Sequence, residues 1–155
     1  MNIEGDAKKY TSNFSFVHQY GSGVMELLDF SEIRTIVDLG CGNGALTKKL
    51  HDKGLSVIGI DASEDLLRIA RADYPDIPFI CADAADFRLE QPADAVFSNA
   101  VFHWIDRERQ TAMLSCVYKA LRKGGSSSSS SAAPGTTRLS TRRCAWSSKK
   151  EGTAM

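Results

Sequence analysis

The stretch Ile36-Val37-Asp38-Leu39-Gly40-Cys41-Gly42-Asn43-Gly44-Ala45-Leu46 constrains this chain more than any other. It begins with a β-branched apolar run, the composition of a buried strand. Asp38 stands at the end of that strand. Three glycines follow at alternate positions, and Leu46 and Leu50 then open a helical spacing. Strand, glycine turn and helix in this order make the first half of a nucleotide-binding βαβ unit. Glycine serves such a turn by tolerating φ > 0 and by letting a ligand lie against bare backbone. The helix start behind it offers unpaired N–H groups.

The loop leaves the nucleotide open. Gly40, Gly42 and Ala45 fit the G-x-G-x-x-A variant of the dinucleotide fingerprint, a weak signal alone. Against a pyrophosphate, Asp38 lies two residues before the first glycine, where its charge would repel a diphosphate and suit a cation. Leu55-Ser56-Val57-Ile58-Gly59-Ile60-Asp61 reads as a second strand ending in an acid. Asp61 follows Gly44 by 17 residues, near the spacing of about 20 for an acid that accepts from ribose hydroxyls. The competing reading is a solvated acid at a strand end.

The 155 residues are 43% hydrophobic and 25% charged, with formal net charge +0. That is one soluble globular domain, with no charge argument for nucleic acid or anionic membranes. No signal peptide is expected from the polar first residues, and no apolar run approaches the roughly 20 residues that span a bilayer; the expected location is cytoplasmic. Cys41, Cys81, Cys116 and Cys144 are far apart, without a C-x-x-C pair, so no metal is expected. The spacing predicts helices over Phe16–Phe30, from the glycine loop to about Lys53, from an N-cap at Ser63 to Pro75, and from an N-cap at Asp106 to Lys123, closed by Gly124-Gly125. Ile77–Cys81 and Ala93–Asn99 read as the third and fourth strands. Arg107, Glu108 and Arg109 read as a solvated first turn.

The run Asp38-Leu39-Gly40-Cys41-Gly42-Asn43-Gly44 resembles the first motif of the class I S-adenosylmethionine-dependent methyltransferases. The resemblance implies an α/β fold, a Rossmann-like parallel sheet with helices on both faces, and S-adenosyl-L-methionine as cofactor. It also implies that Asp38, Gly40, Gly42 and Gly44 hold the methionine end, with the acid near the ammonium. Asp61, with Ala62 beside it, would hold the ribose. Asp83 would accept from the exocyclic amine of adenine, with the Ala84 N–H facing the ring; the alternative is that Asp83 caps a turn. Asn99 would lie near the transferred methyl. Ser98-Asn99-Ala100-Val101-Phe102-His103-Trp104-Ile105 looks most like the trans-aconitate methyltransferase branch, whose members methylate small acids or acyl chains. His103 is the candidate general base, against a packed histidine beside Trp104. Phe16, His18, Gln19 and Tyr20 are candidates for a segment closing over the cofactor, against a helix merely stapled to the sheet.

After Gly125 the pattern breaks. Ser126–Ser131 are consecutive serines, and the remainder carries five basic residues (Arg138, Arg142, Arg143, Lys149, Lys150) against Glu151. Residues 1–125 therefore read as an incomplete methyltransferase domain, and 126–155 as a low-complexity, disordered tail. The family continues into a fifth apolar strand and two more. Here the sheet is expected to stop at the order 3-2-1-4, incomplete on the C-terminal side, with strand 4 an exposed apolar edge. A frameshift, an alternative message or an early truncation would explain the change. Translating the other two frames past Gly125 tests this, and finding no apolar strand followed by a helix would refute it. Three function classes follow: a methyltransferase acting on a small-molecule acceptor, an NAD(P)-dependent oxidoreductase, and a catalytically inactive fragment. No nucleic-acid or membrane partner is expected, and the oligomeric state is open.

Overall fold

The computed structural model describes residues 25, 28–99, 101, 105–133 and 136–143. The elements are β1 (Thr35–Leu39), α1 (Ala45–His51), β2 (Ser56–Asp61), α2 (Glu64–Asp73), β3 (Phe79–Cys81), β4 (Ala93–Asn99), α3 (Arg107–Ala120), β5 (Leu121–Ala133) and β6 (Thr136–Arg143). The strands form one sheet in the order β3-β2-β1-β4-β5-β6. Pairings from β3 through β5 are parallel, and β6 returns antiparallel to β5. The chain order reverses between β1 and β4, which places the sheet's topological switch point beyond their carboxyl ends.

Alternation along the strands divides the core between the two sheet faces. Val37, Leu39, Ile60 and Val96 meet Met113 and Val117 of α3. Ile36, Val57, Ala95 and Phe97 meet Leu50 of α1, together with Met25 and Leu28. Leu67 and Ala70 of α2 pack on Ile77, Phe79 and Cys41. The Ser63 hydroxyl accepts from the Leu66 N–H at 3.4 Å, so the expected N-cap starts α2. Among the described residues no helix is long and apolar enough to cross a membrane.

Three boundaries differ from the sequence reading. The first helix was expected to reach Phe30. Instead Asp29 accepts from the Ser31 N–H at 3.0 Å and begins a short 3-10 turn, Phe30–Glu32; the rest of that predicted helix lies mostly outside the described residues. The third strand begins at Phe79, just after Pro78, whose nitrogen carries no ladder donor.

The largest correction concerns the end of α3. Helix was expected to Lys123, but Leu121 is already extended (φ −90°, ψ 139°) and pairs with Ala93. Ser126 pairs with Ala95, so residues 122–125 bulge opposite Asp94 alone. Gly124 takes φ +78° there. A Cβ on Gly125 would lie 2.9 Å from the Asp94 carbonyl oxygen. The glycine pair therefore shapes a bulge rather than stopping a helix. The serine run, expected to be disordered, is strand: Ser126–Ser130 pair with Ala95–Asn99, and β4 is not an edge. Ladder bonds use backbone groups that every serine has, and covering β4 satisfies its N–H and C=O groups. Residues 144–155 of the predicted tail lie outside the described residues.

Asp94 fastens this end of the sheet. Its Oδ2 accepts from the N–H groups of Arg34 (2.8 Å) and Thr35 (2.9 Å), and its Oδ1 pairs with the Arg122 guanidinium. Burial alone would raise its pKa, but the two N–H donors and Arg122 outweigh that and hold the carboxyl below its ordinary value. Its contribution is thus present above the unfolded-state pKa and lost as pH falls through the lowered folded value. Asp94→Ala should destabilise the fold at pH 7 by about 1–3 kcal/mol in urea denaturation. An unchanged midpoint would show that the clamp carries no stability.

Candidate active site

The candidate residues gather at the carboxyl ends of β1 to β4. Gly40, Gly42 and Gly44 all have left-handed φ, at +76°, +55° and +79°, a region a side chain makes costly. Their surroundings differ. A Cβ on Gly40 would fall 2.0 Å from Val101 Cγ2, and one on Gly44 would fall 2.9 Å from Phe79 Cζ. A Cβ on Gly42 would have Leu66 Cδ1 at 4.0 Å as its nearest heavy atom. Gly40 and Gly44 are therefore small for internal packing, whereas among the described residues no atom crowds a Cβ at Gly42.

The loop's N–H groups are not the open set that the sequence suggested. Gly42 N–H donates to Asp61 Oδ2 at 2.8 Å, Gly44 N–H to the Cys41 carbonyl at 3.0 Å, and Ala45 N–H to Asn43 Oδ1 at 3.3 Å. Gly40 and Cys41 both donate to the Ile60 carbonyl, at 2.7 and 3.0 Å. With those donors engaged internally, the loop is poorly furnished to cradle a phosphate.

Asp38 is 1% exposed. Its Oδ2 accepts from the Thr47 hydroxyl, itself buried in α1, at 2.7 Å. Burial raises its pKa from 3.8 to about 7, the Thr47 bond opposes the rise, and Asp61 adds to it. Asp38 is thus poised between its charged and neutral forms near neutral pH. Burial likewise pushes the Cys41 thiol up, with Asp38 and Asp61 adding to it.

Asp61 is half-buried at the end of β2. Its Oδ2 holds Gly42, and its Oδ1 accepts from the Ser63 N–H at 2.8 Å, so the carboxylate joins the glycine loop to the start of α2. Ala62, next to it, is exposed. The Asp61 carbonyl accepts from the Ala82 N–H at 3.0 Å, bringing the chain beyond β3 alongside. Asp83 and Ala84 follow in a turn closed by the Asp86 N–H on the Asp83 carbonyl at 2.9 Å. Asp83 Oδ1 accepts from the Ala85 N–H at 2.8 Å, as the turn-capping reading expected. Its Oδ2 pairs with Arg109 of α3 at 2.9 Å. The Ala85 N–H and then Arg109 hold its carboxyl below the ordinary value. Asn99 is buried as the last residue of β4. The preceding Ser98 hydroxyl is buried without a hydrogen-bond partner among the described residues. His103, Phe16, His18, Gln19 and Tyr20 lie outside the described residues.

Sequence reasoning missed two members of this constellation. Thr47 precedes Leu50 by three on the inner face of α1, and a polar residue on a buried stripe was the available signal. Arg109, read as a solvated first turn, instead pairs with Asp83 across 26 residues of chain, which no local pattern could indicate.

Known proteins bear on this arrangement. The chain is 35% identical over 124 residues to an uncharacterized methyltransferase of Schizosaccharomyces pombe, covering 77% of this chain and 48% of that protein. It is 43% identical over 74 residues to the trans-aconitate 2-methyltransferase of Acidovorax sp. (strain JS42), covering 46% of this chain and 29% of that one. The chain thus spans less than half the length of these curated relatives. Among solved structures, a TehB-like SAM-dependent methyltransferase from Corynebacterium glutamicum superposes with a TM-score of 0.72 at 18% identity, covering 84% of this chain and 75% of that one. An S-adenosylmethionine dependent methyltransferase from Mesorhizobium loti does so with a TM-score of 0.64 at 29% identity, covering 79% and 63%. The sequence profile described as a methyltransferase domain matches residues 36–125, from the first apolar residues of β1 to the bulge in β5. Because that match takes in more than half of the chain, the protein belongs to the methyltransferase domain family.

Proposed function

We propose that this chain binds S-adenosyl-L-methionine and transfers its methyl group to a small-molecule acceptor of the carboxylic acid or acyl type. The observation that carries the reading is the convergence of Asp38, the glycine loop, Asp61 and Asp83 at adjacent strand ends beside the β1/β4 switch point. The Cβ position at Gly42, uncrowded among the described residues, fits such a ligand. The small-acid acceptor is supported by the trans-aconitate methyltransferases among the relatives, and the S-adenosylmethionine reading by family membership.

Bound S-adenosyl-L-methionine would supply an activated methyl group on a sulfonium, so the protein's task is chiefly alignment. In this reading Asp61 and Ala62 orient the ribose, Asp83 and Ala84 the adenine, and Asp38 with Gly40, Gly42 and Gly44 the methionine end. Asn99 borders the methyl, and His103 is the candidate base. All these residues lie within 1–125, which we take as the cofactor-binding unit, acting in the cytoplasm. Calorimetric titration of the 155-residue protein with S-adenosylhomocysteine and with NAD tests the proposal. Micromolar binding of the first and none of the second is the expected result. Binding of NAD alone would replace it with the oxidoreductase reading, and binding of neither with the inactive-fragment reading.

A further inference from the structure

We infer that Arg109 is a positioning residue for purine recognition: it fixes the Asp83 carboxylate so that Asp83 discriminates an amino-purine from an oxo-purine. The inference rests on the proposed contact between Asp83 and the exocyclic amine of adenine.

The two oxygens of Asp83 are anchored from different directions. Oδ1 takes the Ala85 N–H at 2.8 Å, within its own turn, and Oδ2 takes Arg109 at 2.9 Å, from the first turn of α3. One anchor leaves a carboxylate free to swing about its terminal torsion, whereas two on opposite oxygens define its plane. Each oxygen keeps a second acceptor site. Arg109 also faces Asp86 and Asp106, so it is the cation among three acids. Without it, mutual repulsion would favour turning Asp83 towards water, where its oxygens no longer face a ligand in one fixed plane. The ion pair is half-exposed, so its effect on overall stability is small. Its effect on orientation is the part that can be measured.

The test compares S-adenosylhomocysteine with its deaminated analogue, S-inosylhomocysteine, by calorimetry on the full chain. The two ligands differ at the purine C6 group, which Asp83 is proposed to read, and at N1, an acceptor in the first and an N–H in the second; substitution of Arg109 leaves the N1 difference in place, so the change in the ratio reports the Asp83 contact. The unsubstituted protein should prefer the amino form by about tenfold or more. Arg109→Gln should shrink that ratio by roughly threefold, and Arg109→Lys should retain more of it. A general loosening of the fold would weaken both ligands alike and leave the ratio unmoved. An undiminished ratio in Arg109→Gln would therefore overturn the inference. A larger ratio would also overturn it, by marking Arg109 as a competitor for Asp83. Equal affinities in the unsubstituted protein, or no binding of either ligand, would overturn the Asp83 reading and this inference with it.

Discussion

Asp61→Ala should weaken S-adenosylhomocysteine binding by ten- to a hundredfold. The carboxylate has two tasks that alanine cannot share. It is the acceptor proposed for the ribose hydroxyls, and hydrogen bonds to a charged group are worth about 1.5–3 kcal/mol each; about 1.4 kcal/mol is tenfold in affinity. It also holds the N–H of Gly42 at 2.8 Å, the one loop glycine whose Cβ no described atom would crowd. Without Asp61 that N–H, in a buried residue, loses its acceptor and the loop loses its link to Ser63. Asp61→Asn separates the two tasks in part. The amide oxygen can still accept from Gly42, but its NH₂ then meets the Ser63 N–H, and the negative charge on the ribose side is gone. An intermediate loss is expected for it. Binding within twofold of the unsubstituted protein in Asp61→Ala would remove Asp61 from the cofactor site.

Much of this site was legible because its residues follow strands whose composition is unambiguous. Val37 and Val57 lie in apolar runs; Asp61 closes β2 where the chain leaves the sheet, and Asp38 lies one residue before the end of β1. The glycine loop was legible because left-handed φ at alternate positions leaves few other residues. What the pattern could not carry was side-chain direction. Asp38, expected near a ligand cation, turns into the protein and binds Thr47, a choice made by packing between β1 and α1. The loop N–H groups were expected to be free, but Asp61, Cys41 and Asn43 engage them; these are contacts of backbone shape rather than of composition. The serine strand was illegible for a deeper reason. Periodicity detects strands through the side chains they bury, whereas β5 is placed by the ladder it offers to β4 and by a bulge at Gly124 and Gly125. Leu121, buried and paired with Ala93, was the local hint that the helix had ended.

Asp38→Asn should cost less stability at pH 8 than at pH 5. The carboxyl is buried and its pKa stands at about 7 rather than 3.8. Between those values the folded state keeps a proton that the unfolded state has released. Raising the pH through that window therefore lowers the stability of the unsubstituted protein, until the folded carboxyl is itself ionised near pH 7. A rise of that size corresponds to several kcal/mol. Asparagine is neutral throughout and still offers Thr47 an acceptor oxygen, but its NH₂ group is left to find a partner in a buried site, at about 1–3 kcal/mol. At pH 5 aspartic acid is the better occupant, neutral and bonded to Thr47, and the variant should be the less stable. At pH 8 the unsubstituted protein holds a buried anion beside Asp61, and the variant's deficit should be smaller. Urea midpoints of both proteins at the two pH values give the difference, and taking the difference cancels every group that titrates alike in both. A constant difference would mean that Asp38 is not the group whose ionisation is suppressed by burial.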